Sequence, residues 1–236
     1  MENYEALMAT LALMLGSSWA SGINLYAVVA ILGLGGSTGH IDLPSELSVL
    51  QDPLVIGAAA VMYVVHFFVD KIPGADTAWD TIHTFIRIPA GAMLAAGTVG
   101  DTTLALEIAA GLLGGGVAAT THATKSGARV MINTSPEPVS NWSASLTEDV
   151  LVLSGMWTAL NHPEVFLVLF VIFIGFSVWV LPKLWRFIKL LLNKLAKFFG
   201  AKTLPVDASD ASLSTQAHEN KTLQTSKPLP KHTDSE

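Results

Sequence analysis

Long apolar stretches alternate with short polar ones along the first 181 residues of the chain. A helix needs about 20 mostly apolar residues to cross a hydrocarbon layer of roughly 30 Å. In lipid each stretch must be helical, because an isolated strand would leave its backbone N–H and C=O groups unpaired. The pattern predicts an all-α fold, a polytopic transmembrane helical bundle, with six segments at residues 4–34, 53–71, 77–100, 103–132, 145–160 and 163–181.

The fifth segment is the shortest of the six. Residues 145–160 give roughly 24 Å of helix at about 1.5 Å per residue, which is short for a full crossing. We therefore expect this segment to be either a short crossing or a re-entrant half-helix.

The distribution of Lys and Arg favours six crossings, because cytoplasmic loops collect basic residues. With a cytoplasmic N-terminus, six crossings place Lys71, Arg87, Lys125, Arg129 and the basic residues after position 181 on the cytoplasmic side. Five crossings, with the fifth segment left out, would put one basic group on the wrong side. The opposite loops contain no Lys or Arg, at residues 35–52, 100–103 and 161–162. We predict a multi-pass protein of the bacterial inner (cytoplasmic) membrane with both termini in the cytoplasm.

Composition divides the chain into three parts. Residues 1–181 form the predicted bundle, residues 182–199 a basic amphipathic juxtamembrane helix, and residues 200–236 a polar cytoplasmic tail that we expect to be disordered. An amphipathic helix of this kind lies at headgroup level and favours anionic lipid. A simple topology anchor is the alternative to lipid recognition. The basic residues that would face the lipid are Lys183, Arg186, Lys189, Lys194 and Lys197.

Composition also excludes several kinds of site and enzyme. The chain contains no cysteine, which excludes disulfides and thiolate metal sites. Glu2 and Glu5 stand where a cleaved signal peptide would carry Lys or Arg. No nucleophile elbow, phosphate loop or nucleotide-binding fingerprint is present, so conventional soluble-enzyme chemistry is disfavoured. The predicted partner is the lipid bilayer and not nucleic acid, and a homo-oligomer is left open.

A weak internal repeat links the two halves of the bundle. Residues 21–24 resemble residues 126–129, and residues 43–46 resemble residues 146–148. A repeat offset by three crossings has inverted topology, a recurrent transporter design, with coincidence as the alternative. The triple glycine at residues 114–116 weakens the fourth helix locally. It predicts either a helix break or close helix packing.

Ionisable residues recur at helical spacing near one end of the predicted bundle. Residues at spacings of three and four share a helix face, and charged groups at membrane depth are costly unless they face protein or water. Two polar residues, Asn24 and His66, lie deeper among apolar neighbours. The candidate substrate or gating residues are Asp76, Asp80, His83 and Arg87 on the third helix, His122, Lys125 and Arg129 on the fourth, and Glu148 and Asp149 on the fifth.

Three interpretations of these residues compete. The first is an ion-pair network, with Asp76 or Asp80 paired to Arg87 and with Glu148 or Asp149 paired to Lys125 or Arg129. The second is a gate or binding site for an anionic or zwitterionic solute or headgroup, attracted by Lys125 and Arg129. The third is a divalent-metal site, whose carboxylate and imidazole ligands would be chemically reasonable. Its candidate ligands are Asp76, Asp80, His83 and His122, and no other cofactor is predicted.

Several of these motifs resemble a known bacterial membrane-protein family, catalogued as domain of unknown function forty-one twenty-six. The resemblance rests on residues 70–84 with 87–92, on residues 20–22, on the stretch 122–129 and on residues 145–150, and it covers about residues 9–181. It implies that the ionisable residues belong to a shared design. It implies no activity, because the family is named for the lack of one.

The leading functional hypothesis is a small transporter or channel for a solute, an ion or a lipid. In it, Lys125 and Arg129 attract the substrate, the acids Asp76, Asp80 and Glu148 gate or couple to cation, and His83 or His122 relays protons. A membrane-embedded enzyme or metal-dependent protein that uses the Asp/His cluster is one alternative. A structural or assembly partner is the other.

Overall fold

The computed structural model describes residues 2–72, 74–100, 102–134 and 138–198, with side chains at 3–72, 74–100, 102–134 and 139–193. Every element in these ranges is helical, and no strand occurs among them. The helices are α1 (Glu2–Ser37), α2 (Pro53–Val69), α3 (Ala75–Thr98), α4 (Leu104–Ile132), α5 (Pro138–Asn161) and α6 (Pro163–Phe198), with a 3-10 helix at Ser45–Gln51 before α2. The predicted all-α class is confirmed.

Three helices are long and apolar enough to cross a membrane by themselves, namely α1, α4 and α6. The 3-10 helix and α2, bent by 65° at their junction, form a fourth candidate. The structure thus does not confirm six crossings. α3 and α5 have 24 residues each, or about 36 Å of helix. They are long enough to cross but are less apolar than α1, α4 and α6, and α5 is not the short helix that the sequence predicts.

α1 is broken at Asn24. This residue has φ −148° and ψ 89°, which is extended backbone between two helical arms. The Asn24 side chain accepts a hydrogen bond from the backbone N–H of Ala27 at 3.2 Å, which is the bond by which an N-cap residue begins a helix. We call residues 2–23 the first arm and residues 25–37 the second arm. The second arm is therefore a helix with its own start.

The two arms of α1 run in opposite directions. Along the first arm, Gly16 packs against Ala159, and Trp19 packs against Gly155. Because the contacted residue number falls as the arm advances, this arm is antiparallel to α5. Its end, Asn24, lies beside Asp149 near the beginning of α5.

The second arm returns along α2. Tyr26 contacts His66 near the end of α2, and Gly33 packs against Ile56 near its beginning. The outer ends of the two arms meet again, because residues from both, Leu13 and Ile31 among them, line one cavity of about 690 Å³. α1 is thus a helical hairpin with Asn24 at its tip, and the prediction of a single crossing at residues 4–34 does not describe it.

The antiparallel helices give the bundle two ends. At the charged end, α2 and α4 finish, and α3 and α5 begin. At the far end, the second α1 arm and the end of α3 pack against the 3-10 helix, and both α1 arms line a cavity with the ends of α3 and α5. α6 begins at the far end, where Phe166 packs against Gly16, and reaches the charged end, where Leu184 packs against Gly127.

The triple glycine of α4 is a packing site and not a break. α4 is continuous from Leu104 to Ile132. A Cβ at Gly114 would overlap Ala95 and approach the Gly91 carbonyl oxygen to 2.7 Å, whereas a Cβ at Gly116 would meet nothing within 4 Å. Small residues at such a contact let helix backbones approach closely. The broken helix is α1 and not its supposed repeat partner α4, so helix geometry gives no support to the inverted repeat.

The different surroundings of these glycines lead to a first prediction. Gly114→Ala should lower the free energy of unfolding by about 1–3 kcal/mol, because an added methyl group overpacks a tight contact. Gly116→Ala should raise it by up to about 1 kcal/mol, because alanine is the better helix former and has room. Thermal unfolding of both variants in detergent tests this. Equal effects of the two substitutions would contradict the packing role.

α6 continues without interruption through Pro182 to Phe198, so no helix break marks the predicted boundary at residue 182. The Lys183 ammonium lies 3.0 Å from the ring centroid of Trp179, and Lys183 and Arg186 are exposed. The side chains of Lys194 and Lys197 and the predicted disordered tail at residues 200–236 lie outside the described part of the chain.

Candidate functional site

The predicted site residues converge on the inside of the bundle. Each of the five helices α1 to α5 supplies at least one side chain to a network of ion pairs and hydrogen bonds near the charged end. The predicted members with less than a tenth of their surface exposed are Asp76, Asp80, His83, Arg87, His122, Lys125 and Arg129. Glu148 and Asp149 lie at its edge. We call this set, with Asp70, the charged network.

Lys125 lies at the centre of the charged network. Its ammonium is 3.0 Å from an Asp70 carboxylate oxygen, 3.3 Å from Glu148 and 3.7 Å from Asp80. It also donates to the backbone carbonyl of Ile23 at 3.1 Å, in the last turn of the first α1 arm. A cation at the C-terminal end of a helix is favoured by the helix dipole.

Arg129 joins α4 to α5. Its guanidinium donates to both carboxylate oxygens of Glu148, at 2.9 and 2.7 Å, which is the bidentate geometry of a strong pair. It also donates to the backbone carbonyls of Asp70 at 3.1 Å and Asn141 at 3.4 Å. Arg129 therefore connects the α2–α3 turn to α5.

Arg87 lies deepest in the network and is fully buried. It donates to Asp80 at 2.9 Å, and its second terminal nitrogen lies 3.3 Å from His66. It stands twelve residues from the beginning of α3 at Ala75, or roughly 18 Å along the helix. The two predicted pairings, Asp80 with Arg87 and Glu148 with Lys125 or Arg129, are confirmed.

His122 has polar neighbours at both of its ring nitrogens. The Thr84 hydroxyl donates to the Asp80 carbonyl at 3.0 Å, so its oxygen is left to accept from His122 Nε2 at 2.7 Å. His122 Nδ1 lies 3.4 Å from a terminal nitrogen of Arg87. His122 therefore links Thr84 and Arg87 of α3 to α4.

His83 is also occupied by local hydrogen bonds. Its Nδ1 donates to the Trp79 carbonyl at 2.8 Å, and its Nε2 lies 2.8 Å from the Tyr26 hydroxyl. Tyr26 belongs to the second α1 arm, so His83 links α3 to the hairpin. His66 lies 3.3 Å from an Asp70 carboxylate oxygen, between that carboxylate and Arg87.

Asp76 and Asp149 are held mainly by amides. Asp76 accepts from the backbone N–H groups of Gly74 and Thr77. Both of its carboxylate oxygens also accept from Asn133 Nδ2, at 2.9 and 3.1 Å. Asp149 accepts from the Asn24 amide at 3.3 Å. The tip of the α1 hairpin thus reaches the charged network through Asn24.

Sequence reasoning missed Asp70 as a site residue. Asp70 follows α2 directly and contacts His66, Lys125 and Arg129 within 3.6 Å. Burial raises the pKa of the Asp70 carboxyl above its usual value, although the neighbouring cations oppose that shift. The sequence motif at residues 70–76 could have identified Asp70, because this residue begins the motif. No sequence signal pointed to Asn133, which donates to Asp76, or to Asn141, which donates to Asn133.

The described residues offer no ready metal site. No group of three or more His, Cys, Asp or Glu side chains among them is arranged to hold a metal ion. The four candidate ligands instead have separate partners, as described above for Asp76, Asp80, His83 and His122. The metal interpretation has no geometric support in this part of the chain.

Several polar atoms in and beside the network lack a hydrogen-bond partner among the residues that the structure describes. They include one carboxylate oxygen each of Asp70, Asp80 and Asp149, and also Arg87 Nε and His66 Nδ1. Buried polar atoms are rarely left without a partner, and each exception needs an explanation. The network therefore has more hydrogen-bonding capacity than its own side chains use.

A family model described as Domain of unknown function (DUF4126) matches residues 11–183. The chain belongs to this family. The DUF4126 match covers α2 to α5 and most of α1 but ends within α6, so the charged network lies wholly within it. Of the five basic residues predicted to face the lipid, only Lys183 lies inside the match. No match was found among curated proteins or among solved structures.

Proposed function

We propose that this DUF4126 protein is a small transporter or channel that moves an ion or small solute across the bacterial inner membrane. One observation carries the proposal: the tip of a broken helix, at Asn24, reaches a buried network of ionisable side chains. Broken helices whose ends meet at membrane depth form the ion and substrate sites of many transporters. The apolar α1, α4 and α6 support a membrane location.

The energetics of burial support a functional role for the network. A charged group inside a membrane is costly and commonly marks an ion or substrate pathway. A buried ion pair is often no more stabilising than an apolar replacement. A bundle that needed only stability would therefore gain little from burying Arg87, Lys125 and Arg129 together.

The pairing of the cations favours a positively charged substrate over an anionic one. Lys125 and Arg129 are already neutralised by carboxylates, so they have little charge left to attract an anion. At the far end, the described residues carry no Lys or Arg but several acids, among them Asp42, Glu46 and Glu164. An acidic entrance raises the local concentration of cations.

The α1 hairpin changes the proposed topology. Because both of its outer ends lie at the far end, we propose that α1 is re-entrant and that α2 to α6 make five crossings. α3 and α5 then cross with their ionisable faces turned into the bundle. The charged end, with Lys71, Lys125, Arg129, Lys183 and Arg186, is cytoplasmic by the distribution of basic residues. The N-terminus is then outside and the C-terminal part of α6 inside, in place of two cytoplasmic termini.

A flux assay tests the proposal directly. Purified protein in liposomes should carry at least one of H⁺, Na⁺, K⁺ or NH₄⁺ down its gradient, measured with a trapped fluorescent indicator. Asp80→Asn should lower that flux at least about tenfold, because an intramembrane carboxylate is removed from the path. Arg186→Gln, which changes an exposed charge on α6 away from the acidic entrance, is the control and should change the flux less than about twofold.

The same assay separates transport from a purely structural role. If liposomes with the wild-type protein show no more flux of these four cations than protein-free liposomes, the transport proposal fails. The charged network would then serve the packing of α1 to α5 or the assembly of a larger complex.

A further inference from the structure

The cavity at the far end lies between the two arms of the α1 hairpin. Its volume is about 690 Å³, within the range of roughly 300–1,000 Å³ that ligand sites occupy. Leu13 of the first arm and Thr98 at the end of α3 line the cavity and are buried. Asp42 and Trp157 line it and are exposed. The cavity therefore extends from accessible residues to a buried floor, as a binding site for a small molecule does.

The neutral polar side chains that line the cavity offer mainly hydrogen-bond acceptors. Thr10 and Thr98 each donate to the backbone carbonyl four residues earlier, at 2.9 and 2.8 Å. A hydroxyl has one hydrogen, so the oxygen of each threonine remains only as an acceptor. Asn161 uses an amide hydrogen in the same way, at 2.9 Å, and its side-chain carbonyl is a further acceptor. A ligand that complements this lining supplies N–H donors.

The charges around the cavity favour a cation. The titratable residues in its lining are His40 and Asp42, and a carboxylate is an acceptor only. An adjoining cavity of about 270 Å³ is lined by Glu5, His162 and Glu164. The described residues of the far end contain no Lys or Arg to oppose these three carboxylates. An acidic surface of this kind raises the local concentration of cations and repels anions.

The apolar part of the lining favours an organic cation over a metal ion. Leu13, Ile31 and Leu160 line the cavity and can cover the hydrocarbon part of a ligand. Trp157 adds an aromatic ring, whose face attracts cations. A hard metal ion instead takes about six or more oxygen ligands. No group of three His, Cys, Asp or Glu side chains in the described part of the chain is arranged to hold one.

We propose that the far-end cavity binds a small protonated primary amine, with its ammonium group at Asp42 and its alkyl part against Leu13 and Ile31. The ammonium group supplies three N–H donors, which the acceptors of the lining complement. A quaternary ammonium ion has the same charge without these donors, and a carboxylate has the opposite charge. The inference rests on the proposed transport function for its role, the outer substrate site, but binding can be tested alone.

The test measures the unfolding temperature of the full-length protein in detergent. n-Butylammonium chloride is compared with tetramethylammonium chloride, sodium butyrate and sodium chloride, each at about 50 mM and thus at equal ionic strength. We expect butylammonium to raise the unfolding temperature by about 4 °C relative to sodium chloride, as for a ligand at about ten times its dissociation constant. Tetramethylammonium and butyrate should raise it by less than about 1 °C.

Three variants assign the effect to the cavity. Asp42→Asn removes the carboxylate at an exposed position, where a substitution changes stability little. Ala9→Phe keeps Asp42 and places a ring at an exposed position in the lining. Both should reduce the butylammonium shift to less than about 1 °C. Glu107→Gln is the matched control, because Glu107 lies at the same end in the first turn of α4 but does not line the cavity. It should keep the full shift.

The outcomes separate the two proposals. The amine site is overturned if the wild type shows no butylammonium shift, if tetramethylammonium or butyrate reproduces it, or if Asp42→Asn keeps it. Equal losses in Asp42→Asn and Glu107→Gln would assign the effect to overall charge and would also overturn the site. NH₄⁺, the smallest cation of this class, is already part of the flux assay. A shift that needs Asp42, without flux of any of the four cations, supports the site and overturns transport. Flux without a shift supports transport by a route that does not use this cavity.

Discussion

Arg129→Gln should lower the free energy of unfolding by about 3–5 kcal/mol, which is the typical effect of leaving a buried charge without its partner. Arg129 is 1% exposed and makes two hydrogen bonds to Glu148. Its loss leaves the Glu148 carboxylate with Lys125 alone and leaves the Asp70 and Asn141 carbonyls without their donor. Equilibrium unfolding in detergent, or the shift in unfolding temperature, measures the effect.

Arg186→Gln is the matched control, because Arg186 is exposed on α6. A surface charge contributes little, so this variant should stay within about 0.5 kcal/mol of the wild type. A double variant, Arg129→Met with Glu148→Leu, should recover part of the stability, because the pair is removed together. An Arg129→Gln variant as stable as Arg186→Gln would contradict the buried bidentate pair.

Helical spacing predicted much of the charged network correctly. Asp76, Asp80, His83 and Arg87 were placed on one face of the third helix because their spacings are four, three and four. All four are buried. The same reasoning put His122, Lys125 and Arg129 on one face of α4, where all three are also buried. Charge at helical spacing in an apolar segment must face the bundle, so these placements follow from local sequence.

The break in α1 could not be predicted from local sequence. Helix breaks are commonly caused by proline or glycine, and the triple glycine of α4 carried that signal. Asn24 breaks α1 without either residue at its own position, because its side chain caps the second arm and bonds to Asp149. Both the cap and the partner depend on residues brought together by the fold. The glycines instead fill a contact that only the packing of α3 against α4 creates.

The missed residues share one cause. Asp70, Asn133 and Asn141 lie in the turns or at the helix ends of the charged end, where polar residues are ordinary. Asp70 and Asn141 belong to the site because Arg129 bonds their backbone carbonyls, and Asn133 belongs to it because it donates to Asp76. Because the Arg129 side chain is long, it contacts residues on other helices, and spacing along a single helix does not predict such contacts.

The second large effect is expected in the accessibility of the N-terminus. The chain has no cysteine, so single cysteines can be introduced without removing any. Asn3→Cys, at the exposed beginning of the first α1 arm, should react with a membrane-impermeant maleimide added to intact spheroplasts. The reason is the reversal at Asn24: an arm that enters from the far end and returns to it leaves its beginning outside.

Two further single-cysteine variants provide reference labelling for the two sides of the membrane, independently of the topology of α1. Thr38→Cys lies just after the second arm and should be labelled from outside with or without the hairpin. Thr134→Cys lies at an exposed position two residues after α4 and should be labelled only after the membrane is permeabilised. Asn3→Cys alone distinguishes five crossings from six: labelling like Thr38→Cys supports the re-entrant hairpin. Protection like that of Thr134→Cys would restore a crossing by α1 and a cytoplasmic N-terminus, and with it the sidedness that the distribution of basic residues first indicated.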